Sequence, residues 1–154
     1  FSTTLLPTRH KSICMPDNVL VAFDGSELSE RGLTYALENF PDATITALYV
    51  IDPIDSIIDV EAGGLPVAED WYDNAQERAT DVHTTATDLA TPHDIETVTE
   101  VGNPAQELLK YAKENGIDQI VVGSHGRSGI DRTFLGSVAE TVTRRARIPV
   151  TIIG

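Results

Sequence analysis

A chain of 154 residues, 41% hydrophobic and 23% charged, is long enough for one globular domain with a buried core. Its 24 acidic residues outnumber 11 basic ones, and the resulting charge of −13 repels nucleic-acid phosphates and anionic lipid. Nucleic-acid and membrane-surface partners are therefore disfavoured, and no apolar run approaches the roughly 20 residues of a membrane span.

The acidic excess also predicts the cellular setting. Only three lysines accompany the −13 charge, and high salt would screen the resulting self-repulsion to within a few Å. We therefore expect a protein from the salt-rich cytoplasm of a halophile, the alternative being an ordinary acidic mesophilic protein. Cys14 is the single cysteine, so no disulfide can form within the chain, in keeping with a reducing cytoplasm.

The first 14 residues differ from the rest. They carry Arg9 and Lys11 without any acidic residue, and they lack the continuous apolar stretch of a signal peptide. Met15 is the only methionine and stands just before the first apolar run. We expect residues 1–14 to be a flexible extension, either artificial or upstream, and residues 15–154 to form the domain. The alternative is a genuine N-terminal arm.

The first strand and helix are predicted from apolar patterning. Residues 19–23 are continuously apolar, which is typical of a parallel strand buried on both faces. The turn at 24–26 leads to a helix predicted over 29–39, whose apolar stripe contains Leu33, Ala36, Leu37 and Phe40. Pro41 and Asp42 end this unit.

The middle of the chain contains a second strand and a long helix. The strand is predicted at 45–50, and the segment 53–66 is the least predictable, a loop or short helix. The helix is predicted from Glu69 to about Ala90, with a stripe formed by Trp71, Ala75, Ala79, Val82, Ala86 and Leu89. Its outward side is rich in threonine, a mediocre helix former, so packing must stabilise it.

The last third continues the alternation. A strand at 95–101 precedes a helix with Asn103 as N-cap, Pro104 at the first helical position and Gly116 as its stop. Strands at 117–122 and 150–153 flank a helix at 137–146. Alternating strands and helices imply right-handed crossovers, and hence a mostly parallel sheet with helices on both faces.

One glycine motif predicts a phosphate site. The segment Gly123-Ser124-His125-Gly126 follows a strand, and after nine intervening residues Gly136-Ser137 opens a helix. Glycines let backbone N–H groups approach an anion, and a helix N-terminus adds unpaired donors and partial positive charge. Ser137 and Glu140 also stand in the spacing of a capping box. The alternative interpretation is a plain strand–turn–helix connection.

The spacing Gly-x2-Gly-x9-Gly-Ser resembles the nucleotide motif of the universal stress proteins, in their ATP-binding branch. The resemblance extends from Asn18 to Ile153 and includes four further short motifs in the family's order, at residues 19–26, 48–52, 101–104 and 148–153. It implies a single-domain, Rossmann-like open sheet of five parallel strands in the order 3-2-1-4-5. Ligands in such sheets bind where the strand order reverses, here between strands 1 and 4.

The resemblance also implies a ligand and the residues that contact it. The ligand is ATP, or AMP or ADP, with Mg²⁺ or Mn²⁺ held through the phosphates and, as an option, by Asp24. The expected nucleotide-binding residues are Ala22, Asp24, Val50, Gly123, Ser124, Gly126, Arg127, Gly136, Ser137 and Val138.

Several of these residues have a competing structural role. Asp24 would contact the ribose or a metal, or else cap the turn that follows it. Val50 would contact adenine through its backbone, with Ala22 lining the same pocket. Arg127 would pair with phosphate or with a surface carboxylate. His125 is expected to be a solvated loop residue and not catalytic.

No enzymatic motif accompanies the glycine motif. The chain lacks a G-x-S-x-G elbow and a P-loop, and its other histidines show no zinc-ligand spacing. We expect a nucleotide-binding module with at most slow hydrolysis. The alternatives are a nucleotidyl- or phosphotransferase on the same fold, and a structural stress protein without nucleotide.

The final strand predicts an assembly. Residues 148–153 are apolar and uncharged, and an unprotected edge strand of this kind invites pairing with another chain. The resemblance implies an antiparallel two-fold homodimer through this strand, with further pairing into tetramers as an option.

Overall fold

Five parallel strands form one sheet in the computed structural model, which describes residues 15–54, 68–125 and 134–154. The strands are β1 Asn18–Ala22, β2 Thr44–Ile51, β3 Glu96–Val101, β4 Gln119–Gly123 and β5 Val150–Ile153. Their spatial order is β3-β2-β1-β4-β5, with every neighbouring pair parallel. The predicted strand order is confirmed.

The two central strands are buried on both faces. Val19, Leu20 and Val21 of β1 and Ile120 and Val121 of β4 have no exposed surface. Successive side chains point to opposite faces of a strand, so a sheet covered by helices on both sides requires continuous apolar runs. These runs are the feature by which the sequence predicts the strands.

Helices α1 (Glu27–Asn39) and α2 (Ala68–Ala90) cover one face. Their apolar stripes lie on the core as predicted, except for Leu89, which is 39% exposed. Ala79, Val82 and Ala86 are buried, and the next position on the helical period is Ala90, which is 1% exposed. Leu89 lies one position off that stripe, so its assignment to the core was wrong.

Helices α3 (Pro104–Glu114) and α4 (Ser137–Arg145) cover the other face, where Leu108 and Val142 pack against the sheet. The predicted ends of α3 are confirmed. The Asn103 side chain accepts from the Gln106 N–H at 3.1 Å, and Gly116 follows the helix at φ +60°. Only glycine adopts that left-handed conformation readily.

Helix α1 begins at Glu27, two residues before the predicted start. Ser26 is its N-cap, and the Ser26 hydroxyl oxygen accepts from the Ser29 N–H at 3.3 Å. The segments 1–14, 55–67 and 126–133 lie outside the described residues, and with them the expected extension, most of the segment 53–66, Gly126 and Arg127. No described helix is long and apolar enough to cross a bilayer.

Candidate functional site

The crevice expected where the strand order reverses lies at the carboxyl ends of β1 and β4. These strands are neighbours, but the chain continues from β1 to β2 on one side and from β4 to β5 on the other. Helices that leave in opposite directions open a gap where the strand order reverses. Ala22 and Gly123 are the last residues of the two strands, so the glycine motif begins at this gap.

Asp24 caps the turn that leads from β1 into α1. Its Oδ1 atom accepts from the Ser26 N–H at 2.9 Å, and Gly25 between them has a φ of 78°. The capping role considered for Asp24 is therefore present. Because the turn engages one carboxylate oxygen, it is compatible with a ligand contact through Oδ2.

Close backbone packing holds the end of β4 against the start of α4. The Gly136 N–H donates to the Ser124 carbonyl oxygen at 2.7 Å, and the Ser124 N–H donates to the Ile153 carbonyl oxygen at 2.7 Å. A Cβ atom at Gly136 would lie 2.8 Å from the Ser124 oxygen, and one at Gly123 would lie 3.0 Å from Leu28 Cβ. Gly136 therefore requires glycine for close approach, and a side chain at Gly123 would be tightly packed against Leu28.

The N-terminus of α4 has no side-chain cap. Its N-cap residue is Gly136, and the first intrahelical bond runs from the Glu140 N–H to the Gly136 carbonyl oxygen at 2.9 Å. The N–H groups of Ser137, Val138 and Ala139 therefore have no intrahelical acceptor. Three such donors, together with the helix dipole, form a site that favours an anion.

The predicted capping box at Ser137 and Glu140 is wrong. Ser137 is the first helical residue and not the N-cap, so its hydroxyl lies one position too late to cap the first turn. The Glu140 carboxylate instead pairs with Arg144, with Oε1 2.9 Å from Nη2. A glycine N-cap leaves the helix donors to a ligand, which a serine N-cap would not.

His125 is half-buried and not the solvated group expected. Its Nδ1 atom lies 3.0 Å from Ser124 Oγ, and its Nε2 atom is buried with no hydrogen-bond partner in the described part of the chain. An unsatisfied buried polar atom costs about 1–3 kcal/mol. Spacing rules cannot reveal such an atom, because burial depends on the folded chain and not on the local sequence.

Most of the predicted site residues lie at the end of the sheet where the carboxyl ends of the strands meet. Ala22 and Val50 are half-buried at the carboxyl ends of β1 and β2 and pack on the face that α3 and α4 cover. The remaining described members surround the crevice: Asp24, Gly123, Ser124, Gly136, Ser137 and Val138. The Ala139 N–H, which the sequence analysis did not include, joins them.

In the described ranges, no three His, Cys, Asp or Glu side chains come together as metal ligands. Mg²⁺ is commonly bound through substrate phosphates and one or two carboxylates, so a nucleotide-held cation does not need such a cluster. His83 lies away from the crevice, where its Nε2 contacts Thr99 Oγ1, and burial lowers its pKa below 6.5.

These residues fit a phosphate-bearing ligand. The close approach of Gly136 to Ser124 holds the start of α4 at the end of β4, and the N-terminus of α4 presents N–H donors without intrahelical acceptors. Each feature suits an acceptor that carries negative charge.

Comparisons with known proteins identify the same fold. Universal stress protein YxiE of Bacillus subtilis is 33% identical, over 90% of this chain and 99% of that protein. The solved structure of MJ0577, from Methanocaldococcus jannaschii, matches with a TM-score of 0.69 at 26% identity, over 91% and 96% of the two chains. The structure of a universal stress protein in complex with cAMP matches with a TM-score of 0.64 at 28% identity, over 92% of this chain and 99% of that chain. The sequence model of the universal stress protein family matches residues 15–154, and the chain belongs to that family.

Proposed function

We propose that this protein is an ATP-binding universal stress protein, a module whose state responds to a nucleotide. The observation that carries the proposal is the uncapped N-terminus of α4, held against Ser124 by the Gly136 N–H at the point where the strand order reverses. A relative of the same fold, 28% identical, is in complex with cAMP, which supports a nucleotide as the ligand. The proposed setting is a salt-rich cytoplasm.

Each part of the nucleotide has a proposed place. The phosphates accept from the N–H groups of Ser137, Val138 and Ala139 at the start of α4. The sugar lies towards Asp24 Oδ2, because Oδ1 is engaged in the turn. The base lies towards the carboxyl ends of β1 and β2, where Ala22 and Val50 are half-buried. AMP and ADP would occupy the same place with fewer phosphates.

The proposed chemistry is binding with at most slow hydrolysis. Backbone N–H groups at a helix N-terminus stabilise a bound anion, but they do not take a proton from an attacking water. Mg²⁺ or Mn²⁺ would neutralise part of the phosphate charge and would be held mainly by the phosphates. In so acidic a chain, such a cation would also reduce repulsion between the ligand and the protein.

The proposed assembly is a homodimer through β5, with pairing into tetramers as an option. The Ile120 N–H donates to Pro149 and the Ser124 N–H to Ile153, so the odd-numbered residues of β5 direct their backbone groups to β4. The N–H groups of Val150 and Ile152 therefore point to the open edge. Ile152 is also 38% exposed, which gives this edge an apolar side chain to bury.

Mass spectrometry of the small molecules released from gently purified, then denatured protein tests the nucleotide proposal. We expect ATP or its breakdown products in the released fraction. Calorimetric titration in high-salt buffer, with ATP, AMP and cAMP each with and without Mg²⁺, should show binding of ATP. Release of no nucleotide, together with no binding heat for any of the three, would contradict the proposal.

A further inference from the structure

The two helical layers of the molecule carry charge of opposite sign. Helices α1 and α2 contain nine acidic and two basic residues, whereas α3 and α4 contain three acidic and four basic ones. Three arginines, at positions 144, 145 and 147, lie at the end of α4 and just after it, and all three are exposed. In a chain of charge −13, the end of α4 is therefore a local excess of positive charge.

An open groove lies beside this charge, on the exposed side of α4. Five residues line a volume of about 390 Å³: Phe134, Leu135, Glu140, Thr143 and Arg144. Phe134 is 71% exposed and Leu135 is 38% exposed, and the Thr143 hydroxyl already donates to a helix carbonyl oxygen, that of Ala139, at 2.6 Å. The groove therefore presents exposed apolar side chains beside an arginine, a combination that is enriched at protein interfaces.

Arg144 keeps N–H donors for a partner. Its Nη2 atom lies 2.9 Å from Glu140 Oε1, and the two side chains are 77% and 50% exposed. A guanidinium has five N–H donors in a planar fork, so one contact with one carboxylate oxygen leaves others for a second acceptor. An exposed ion pair contributes little to stability and does not hold the arginine in one place. With Glu140 counted, residues 140–147 still carry a formal charge of +2.

Volume and charge together define the occupant. About 390 Å³ is near the lower end for ligand pockets, which suits the anchoring side chain of a short segment. A second copy of this chain is disfavoured, because two copies of charge −13 repel each other. Contact of its acidic helices with this groove would also be heterologous, and such contacts form rings or filaments. Acidic residues around one apolar side chain match the lining best.

We propose that the groove docks a short acidic segment of a partner protein. An apolar side chain of the segment packs against Phe134 and Leu135, and a carboxylate beside it accepts from N–H groups of Arg144. The arginines at 145 and 147 attract the remaining acidic residues of the segment over a longer range. The docking site goes beyond the proposed function and does not require a bound nucleotide, so either can fail without the other.

The first test selects peptides from a random dodecapeptide library displayed on phage, with the whole protein as bait and no nucleotide added. We expect enriched peptides that carry several acidic residues around one aromatic or aliphatic residue. Arg144→Glu and Phe134→Ser should each bind the selected peptide on the order of tenfold more weakly, or worse. Failure to enrich any peptide, or enrichment of basic ones, would overturn the proposal.

Two matched variants on the acidic layer separate this site from general effects of charge and apolar surface. Arg78→Glu makes the same change of charge on α2, and Tyr72→Ser removes an aromatic side chain that is 55% exposed. Both should bind the selected peptide like the wild type. A loss of affinity equal to that of Arg144→Glu and Phe134→Ser would place peptide binding outside the groove and contradict the docking site.

A charge-swapped peptide tests the Arg144 contact through a gain of binding, which a misfolded variant could not give. With its acidic residues replaced by lysine, the peptide should bind Arg144→Glu more tightly than it binds the wild type. Equal affinity for the two proteins would show that Arg144 does not contact the segment. Light scattering of Phe134→Ser tests the other occupant. If this variant had fewer subunits than the wild type, a second copy of the chain would occupy the groove, and the proposed partner segment would be wrong.

Discussion

The N–H of Gly136 donates to the carbonyl oxygen of Ser124 at 2.7 Å, and this bond joins the end of β4 to the start of α4 across the nine-residue interval of the motif. It explains why the motif's third glycine is needed. The backbone of residue 136 approaches so closely that a side chain has no room.

Gly136→Ala should weaken both the fold and nucleotide binding. The new Cβ would lie 2.8 Å from the Ser124 oxygen, and relieving this contact should cost about 1–3 kcal/mol of unfolding free energy. Because the new contact would also displace the start of α4, the variant should bind ATP more weakly than the wild type. Chemical unfolding and calorimetry measure the two effects.

Gly32→Ala is the matched control. A Cβ there would lie 3.4 Å from Val121 Cγ1, close to ordinary contact, and alanine favours a helix interior by about 0.5–1 kcal/mol. Stability and ATP affinity should change little. Equal changes in unfolding free energy and ATP affinity for the two variants would show that the close contact of Gly136 with Ser124 is not critical.

Substitutions at Asp24 should separate its turn-capping role from its ligand role. Asp24→Asn keeps an oxygen that can accept from the Ser26 N–H, so unfolding should change little, whereas Asp24→Ala should cost about 1 kcal/mol through loss of that bond. Both should weaken binding of ATP, which we measure by calorimetry. If Asp24→Asn bound ATP like the wild type, the carboxylate would have a capping role alone.

Stability should decrease below about pH 6.5 because of His83. Burial lowers the pKa of this side chain in the folded state, so the unfolded chain takes up a proton first as the pH falls. The contribution of neutral His83 to the free energy of unfolding is fully present above the unfolded-state pKa. It is lost as the pH falls towards the folded-state pKa. The slope cannot exceed about 1.4 kcal/mol per pH unit for one group.

Urea unfolding at several pH values between 7.5 and 5 measures this slope. His83→Gln should flatten it, and His93→Gln, at an exposed position beyond α2, should leave it as in the wild type. An unchanged slope in His83→Gln would assign the acid sensitivity to other groups.

Salt should stabilise the fold, because screening reduces the repulsion within a chain of charge −13. Helix α2 concentrates this repulsion, since exposed Asp73, Glu77 and Asp81 follow one another at intervals of four residues. Like charges at that spacing face each other and destabilise a helix by a few tenths of a kcal/mol each. The melting temperature should rise with KCl up to molar concentrations.

A triple variant provides the comparison: Asp73→Asn, Glu77→Gln, Asp81→Asn. It should melt higher than the wild type at low salt and gain less from added KCl. A melting temperature that stays constant or falls with KCl would remove the argument for a salt-rich setting.

Ile152→Pro should disrupt the proposed dimer. Its N–H points to the open edge of β5, so proline removes a donor from that edge without breaking the β4–β5 ladder. Light scattering at tens of micromolar in high salt measures the oligomeric state. We expect a dimer for the wild type and a larger monomer fraction for the variant.

Thr97→Pro is the control at the opposite edge. The Gly102 N–H donates to Ile51, so the even-numbered residues of β3 face β2 and the Thr97 N–H points outward. This variant should remain dimeric. A wild-type monomer, or equal effects of the two prolines, would argue against assembly through β5.

The central strands could be predicted because a strand that is buried on both faces of the sheet has a continuously apolar sequence. Residues 19–21 and 120–122 are continuously apolar since helices cover both sides of the central strands. Asn103 and Pro104 mark the start of α3 by local hydrogen bonding, which requires no knowledge of the rest of the fold. The order of the strands came from the resemblance to the family.

The details of the site could be predicted less well because they depend on packing between distant segments. Ser137 and Glu140 have the spacing of a capping box, but the N-cap is Gly136, whose N–H donates to the distant Ser124 carbonyl oxygen. The local cap at Asn103 was predictable, whereas the hydrogen bond that joins Ser124 to Gly136 was not.

The bond between the Ser124 N–H and the Ile153 carbonyl places the ligand loop and the open sheet edge on opposite sides of one four-residue strand. A dimer through that edge would share β5 with the nucleotide site. Thermodynamic linkage then imposes an equality: the factor by which saturating ATP changes the dimer's association constant equals the product of the factors by which dimerisation changes the affinities of its two ATP sites. Measuring either one fixes the other.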